Sequence, residues 1–312
     1  MKITLKAALA IGVALAFPAS AMADEIAVIV KTTNSNFWQN VNKGALAAVE
    51  GSGLTMTFDG PASESAVADQ VNMVDNAVNR GVKGIVLAPS DPEALIPAVR
   101  RANEAGIAVA IIDSALGEGG AGTYQTLLST DNCAAGKLAA GKMIEAVGGE
   151  GKVAVMSYVA GVGSELGRVG CFVEEVKASS KIEIVGPFYS QSQMATALNQ
   201  TTDVLAANPD LKGIFGANEP TAIGMARAIQ QAGKAGQVVA IGFDGNEDLQ
   251  AFVKDGTLLG TLVQGSFQMG DLGVKAVADL IGGKSVEAQI DTGVVFVTKE
   301  NIDTDEAKNV LY

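Results

Sequence analysis

One unit occurs twice in this chain, and the repetition limits what the chain can fold into. Residues 82–114 read VKGIVLAPSDPEALIPAVRRANEAGIAVAIIDS, and residues 211–245 read LKGIFGANEPTAIGMARAIQQAGKAGQVVAIGFDG. Each opens on Lys-Gly-Ile, passes a polar turn with proline and continues as an Ala-rich helical stretch. Each closes on Ala-Gly, a short apolar strand and an aspartate. Lys83 to Asp113 and Lys212 to Asp244 are separated by nearly the same length of chain. Two similar α/β halves are expected, each placing a carboxylate just past the end of a strand. Open parallel sheets take ligands outside the carboxyl ends of their strands. Halves that face each other would set Asp113 and Asp244 on opposite walls of one cleft.

Strand and helix alternate along the rest of the chain. Short apolar strands are expected at 26–30, 54–58, 84–88, 107–113 and 126–129, and again at 153–157, 182–185, 213–216, 238–243, 258–263 and 294–297. Helices between them predict parallel sheets covered on both faces. Ser90-Asp91-Pro92-Glu93 has the capping-box pattern for the next helix, which Pro97 would kink or delay. Asp131 caps a helix running to about Val147. The helix at 267–281 supplies a layer that the first half otherwise lacks, so several short crossings join the halves.

Residues 1–23 are set apart from this pattern. Lys2 and Lys6 precede an apolar run at 7–17, and Ala21-Met22-Ala23 has the form of a cleavage site. These are the marks of a secretory signal peptide, and the run is too short to span a bilayer. No cysteine follows the run, which argues against a lipoprotein. Removing 23 of the 312 residues leaves 289, enough for two domains with their own cores. Without Lys2 and Lys6 the formal charge moves from −12 to −14. That acidity argues against nucleic acid or anionic membrane as partner. The chain has no histidine, which removes most zinc sites and the usual nucleophilic triads. Its two cysteines, Cys133 and Cys171, both fall near expected helix starts. In an exported protein an even count favours one disulfide over two buried thiols.

Two groups of residues could carry recognition. Asn34-Ser35-Asn36-Phe37-Trp38 lies between the first strand and the first helix. Ser35 and Asn36 could simply cap that helix and Phe37 could be core, but Trp38 is the only tryptophan in a chain with 5% aromatic residues. Aromatic rings beside Asn and Ser at a strand end suit a sugar, which has an apolar C–H face and polar edges. Asp113, Asn218, Asp244 and Gln264 each fall just past a strand. Turn and cap chemistry explains any one of them; four at equivalent positions favour a site that takes hydroxyl groups. Gly161 to Gly167 loosely follows a nucleotide-loop pattern, but its third glycine is one place late and no ribose-binding acid follows. Glu165 or Arg168 reaching into the cleft is the better reading. The acidic run 244–248 lacks the spacing of a calcium loop and reads as a helix start. No nucleophile elbow and no metal cluster is found, so neither a catalytic centre nor a cofactor is indicated.

The leader, N-S-N-F-W, A-P-S-D-P-E-A-L, A-I-I-D-S, S-T-D-N, A-N-E-P-T-A-I-G, I-G-F-D-G and L-V-Q occur in order over the whole remaining chain. Together they resemble the periplasmic sugar-binding proteins of ABC importers, close to the ribose-binding branch. The resemblance implies two Rossmann-like lobes, parallel sheets flanked by helices, joined by a three-segment hinge near Ser129–Asp131, Gln264 and Thr292–Gly293. The lobes would be 24–129 plus 265–292 and 130–264 plus 293–312. A monomer would close on a pentose, hexose or sugar alcohol and deliver it to the membrane permease. Phe37 and Trp38 match the stacking aromatics, and Asp113, Asn218, Asp244 and Gln264 the hydroxyl-binding positions. The pattern departs twice. Ser114 stands where the ribose branch has arginine, and Leu166 stands at a second arginine position whose role Arg168 would take. These departures leave the sugar open. A sugar-modifying enzyme, a sugar-sensing receptor and a repressor share such lobes; the repressor is disfavoured by the leader and the acidity.

Overall fold

The computed structural model describes residues 24–312, and the expected leader at 1–23 lies outside them. The first half builds β1 (Glu25–Ile29), α1 (Asn36–Val49), β2 (Thr55–Asp59), α2 (Val67–Arg80), β3 (Gly84–Leu87), α3 (Ile96–Glu104), β4 (Ala108–Ile112) and β5 (Thr126–Ser129). The second builds α4 (Asn132–Val147), β6 (Glu150–Ser157), α5 (Gly163–Ser179), β7 (Lys181–Tyr189), α6 (Met194–Ala207), β8 (Leu211–Gly216), α7 (Glu219–Gln231), β9 (Val239–Phe243), α8 (Glu247–Lys254) and β10 (Gly260–Gln264). Then come α9 (Ser266–Ile281), β11 (Gln289–Asp291), β12 (Val294–Thr298) and α10 (Asp305–Lys308).

The strands form two six-stranded sheets, ordered β11-β5-β4-β3-β1-β2 and β12-β10-β9-β8-β6-β7. Every pair is parallel except β10–β12. The inner order is the same in both sheets, which is the repeat made visible: β3-α3-β4 and β8-α7-β9 are the two copies. Apolar side chains from both faces of each sheet pack under helices, giving two buried clusters per lobe. The chain passes between the sheets after β5, after β10 and between β11 and β12. Among the described residues, no helix is long and apolar enough to cross a membrane.

Helix α9 lies on the first sheet, supplying the layer that the first half otherwise lacks. Gly44 of α1 and Gly270 of α9 make this possible. A Cβ at Gly44 would collide with the Phe267 carbonyl, and one at Gly270 with the Val41 carbonyl, so the two backbones touch where only glycine fits.

Two local expectations are corrected. Ser90 does not cap α3. The stronger acceptor, Asp91 Oδ1, takes the amides of Glu93 and Ala94 at 2.8 and 2.7 Å. Helix α3 starts only at Ile96, with Pro97 in its first turn, where the missing N–H costs nothing. Cys171 is not near a helix start but well inside α5. It still reaches Cys133 in a disulfide, because Gly136 lets α4 lie against the α5 backbone at Arg168.

Candidate functional site

The carboxyl ends of both sheets face each other across a narrow cleft with a free volume of about 30 Å³. Ser35, Phe37, Trp38, Asp113, Arg168, Asn218, Asp244 and Gln264 line it, together with Lys31, Glu64, Tyr158, Ser164, Glu219 and Pro220. Asn36 lies in the adjoining outer groove. Ser114 sits behind the wall, fully buried.

In the first lobe the chain leaves β1 at Lys31, whose side chain is only 2% exposed. Its Nζ donates to Asp113 Oδ2 and to Ser114 Oγ, both at 2.6 Å. Ser114 Oγ also donates to Asp113 Oδ2 at 2.8 Å. Ser35 caps α1 by accepting from the Trp38 amide at 3.4 Å. This sets Phe37 and Trp38 edge to face, centroids 4.8 Å apart. The Trp38 indole N–H donates to Glu64 Oε1 at 3.0 Å.

In the second lobe Asp244 leaves β9. Its Oδ2 accepts the Glu219 amide and its Oδ1 the Gln264 amide group, both at 2.8 Å. Arg168 is held by Asn132 Oδ1 at 2.7 Å, the Ala217 carbonyl at 2.7 Å and Gln264 Oε1 at 3.1 Å. Its guanidinium lies 3.6 Å from the Phe243 ring centre, a cation–π contact in a dry setting. Asn218 caps α7 through the Thr221 amide. Asp113 and Asp244 both adopt positive φ, 63° and 78°, which aspartate tolerates better than most residues. Held at equivalent strand ends, such backbone marks a functional constraint.

The charges differ between the walls. Burial pushes the Asp244 carboxyl up to about 6, opposed by Arg168. Burial, and then Asp244 beside it, pushes Glu219 up to about 8. Tyr158 is raised by burial and donates to or accepts from Ser164 at 2.8 Å. Glu165 does not reach the cleft as a ligand group. It folds back onto Ser157 and the Gly161 amide, at 3.1 and 3.2 Å. Among the described residues, no group of His, Cys, Asp and Glu is arranged to hold a metal ion.

Sequence reasoning passed over Lys31, Glu64, Tyr158, Ser164 and Glu219. Lys31 carried a usable signal, a lone cation directly after the first apolar strand. Glu219 adjoins Asn218 and shares its strand-end position. Glu64 sits in a loop with no pattern around it. Of the two places considered for arginine, Leu166 is 57% exposed and Arg168 is 2% exposed in the wall.

Comparison with known proteins points to one family. The family model of the periplasmic binding protein domain matches residues 26–285. The D-allose-binding periplasmic protein of Escherichia coli is 31% identical over 274 residues, covering 86% of this chain and 88% of that protein. The ribose import binding protein of Salmonella typhimurium is 31% identical over 292 residues, covering 93% and 96%. A crystal structure of an ABC transporter solute-binding protein from Agrobacterium vitis with bound D-fucose superposes with a TM-score of 0.92. It is 70% identical and the match covers 92% of this chain and all of that one (100%). With the cleft, the paired lobes and these matches in hand, the chain belongs to the periplasmic binding protein family, in its ribose- and allose-binding branch, and works in the periplasm by capturing a sugar for an ABC transporter permease rather than by catalysis.

Proposed function

We propose that the cleft takes a neutral monosaccharide of five or six carbons, with D-fucose as first candidate. The observation that carries this is the make-up of the wall. Four carboxyl groups, Glu64, Asp113, Glu219 and Asp244, face two cations, Lys31 and Arg168. A sugar acid or sugar phosphate would add negative charge where it is already in excess, whereas hydroxyls supply the donors that carboxylates accept. D-Fucose is the sugar bound by the 70% identical Agrobacterium vitis protein.

Asp113 and Asp244 each accept hydroxyl hydrogen bonds from opposite sides. Lys31, Arg168, Asn218 and Gln264 donate. Phe37 and Trp38 cover the C–H face, and Ser35, Asn36 and Ser114 hold that wall in shape. The lobes are 24–129 plus 265–292 and 130–264 plus 293–312. Their three crossings act as a hinge, and the protein is a monomer. A site divided between the lobes favours the closed form by differential contact.

The test is a calorimetric panel of D-fucose, D-arabinose, D-ribose, D-allose and D-galacturonate, with Trp38 fluorescence as a second readout. Binding of at least one neutral sugar, D-fucose foremost, and exclusion of D-galacturonate are expected. Tight binding of the acid, or of none of the neutral sugars, would refute the reading.

A further inference from the structure

Two buried carboxylates at the mouth of the cleft are engaged in a reciprocal way. Glu64 stands in the loop between β2 and α2, 6% exposed, and Glu219 opens α7, 2% exposed. Glu64 uses Oε1 within its own lobe, accepting from Trp38, and Oε2 across the cleft, accepting from the Ser192 hydroxyl. Glu219 uses Oε2 within its own lobe, accepting from Tyr312 at 2.9 Å, and Oε1 across the cleft, accepting from the Asn36 amide at 2.8 Å. Tyr312 belongs with Glu219, since its own backbone is tied to Gly245 and Gln250. Each lobe therefore extends one carboxylate that grips the other.

The partners suit the purpose. Asn36 is the first residue of α1, so its amide has no acceptor inside the helix. Ser192 sits in a turn where Gln191 and Ser192 both hold positive φ, 57° and 53°, a costly backbone for such residues. The turn is pinned to its lobe by Ser190 and Gln191 amides on the Ser157 and Tyr158 carbonyls. Ser192 Oγ also accepts from Asn218 at 3.0 Å, which joins this contact to the sugar wall.

We infer that Glu64 and Glu219 are paired latches, positioning residues that hold the lobes shut and set how slowly a bound sugar leaves. The two share one motion: opening the cleft must break both. This rests on the sugar-binding reading for its effect on release, but not for the latch itself.

The experiment follows the Asn36 amide, whose hydrogen exchange reports the Glu219 latch, in a variant of the other latch. In sugar-free protein, Glu64→Ala is expected to lower Asn36 protection about tenfold or more, the scale of one charged hydrogen bond. Glu64→Gln, which keeps an acceptor for Trp38 and a donor for Ser192, is expected to restore most of it. Far-ultraviolet dichroism checks that both variants fold. An Asn36 amide unprotected in the wild type, or equally protected in Glu64→Ala, would overturn the latch. In stopped flow with D-fucose, Glu64→Ala is expected to release about tenfold faster; unchanged release would overturn the assigned role. If D-fucose does not bind the wild type, the sugar assignment fails, and the amide result alone decides the latch.

Discussion

Asp113 and Asp244 occupy the same place in the two lobes and live under opposite conditions. Each follows the strand of a repeated unit, each donates its amide back to a neighbouring strand, at Leu128 and Leu262, and each holds a positive φ. Each is nearly inaccessible, 4% and 3% exposed. Yet Asp113 is clamped by a lysine and a serine hydroxyl. Asp244 has an amide, a backbone N–H and a second carboxyl group for neighbours, with Arg168 answering from further off. The repeat reproduces a backbone that aims a carboxylate into the cleft and leaves its charge to be settled by neighbours that the two copies do not share. Lys31 settles it in the first lobe. In the second the settlement is incomplete, and burial raises both Asp244 and Glu219.

The same conservative substitution should therefore act unequally. Asp113→Asn leaves the Lys31 ammonium buried without a counter-charge, and breaking a buried pair in this way costs about 3–5 kcal/mol. Asp244→Asn removes a charge from an acidic site but leaves one of its two donors, the Glu219 amide or the Gln264 side chain, facing an NH2 group, and should cost less, about 1–3 kcal/mol. Urea unfolding of both variants measures this, and equal losses would break the comparison.

The second lobe carries a further restraint. The Cys133–Cys171 disulfide closes a separation of 38 residues, for which the chain-entropy account gives about 4 kcal/mol at most. Reduction should lower the unfolding midpoint and loosen α4 and α5, while the first lobe, joined through the Gly44–Gly270 contact, keeps its exchange protection. A midpoint insensitive to reductant would remove this asymmetry.

pH sharpens the contrast, with a definite sign. A carboxyl whose folded value is raised binds protons more readily folded than unfolded. Its favourable contribution is complete below the unfolded value and is lost as pH rises through the folded one. For Asp244 that window runs from 3.8 to about 6, and for Glu219 from 4.5 to about 8. Glu219→Gln should gain on the wild type as pH rises through 5 to 8, by about 1.4 kcal/mol per pH unit at the steepest, and level off above. A constant difference would show Glu219 titrating normally.

The smallest effect concerns the residues that follow the aspartates. Ser114 hydrogen-bonds to Lys31 and Asp113, whereas Gly245 has no side chain to offer. Ser114→Ala should cost about 1 kcal/mol, read from the same urea curves.

Much of this was readable in advance, for physical reasons. Strand–helix alternation is a local pattern, so both sheets and the strand-end positions of Asp113, Asn218, Asp244 and Gln264 could be placed from it. What escaped depends on distant partners. Glu64 acquires meaning only from Trp38 and Ser192. The capping pattern at Ser90 yields to the neighbouring Asp91, which takes the free amides, while Gln70 takes the Ser90 amide. Cys171 lies well inside α5, and what brings its sulfur to Cys133 is the packing of α4 on α5, which no local pattern shows. Strand β11 is only 3 residues long, and it exists because β5 offers it an edge. Lys31 is legible in position but not in chemistry: nothing local marks it as the cation that Asp113, far along the chain, needs.

The central claim is that a sugar is held between these two aspartates, one from each lobe. Calorimetric titration of D-fucose into the wild type, Asp113→Ala and Asp244→Ala tests it most directly. The account predicts one site in the wild type and affinity weaker by about thirtyfold to a thousandfold in each variant, equivalent to about 2–4 kcal/mol. Unchanged affinity in either variant would contradict it.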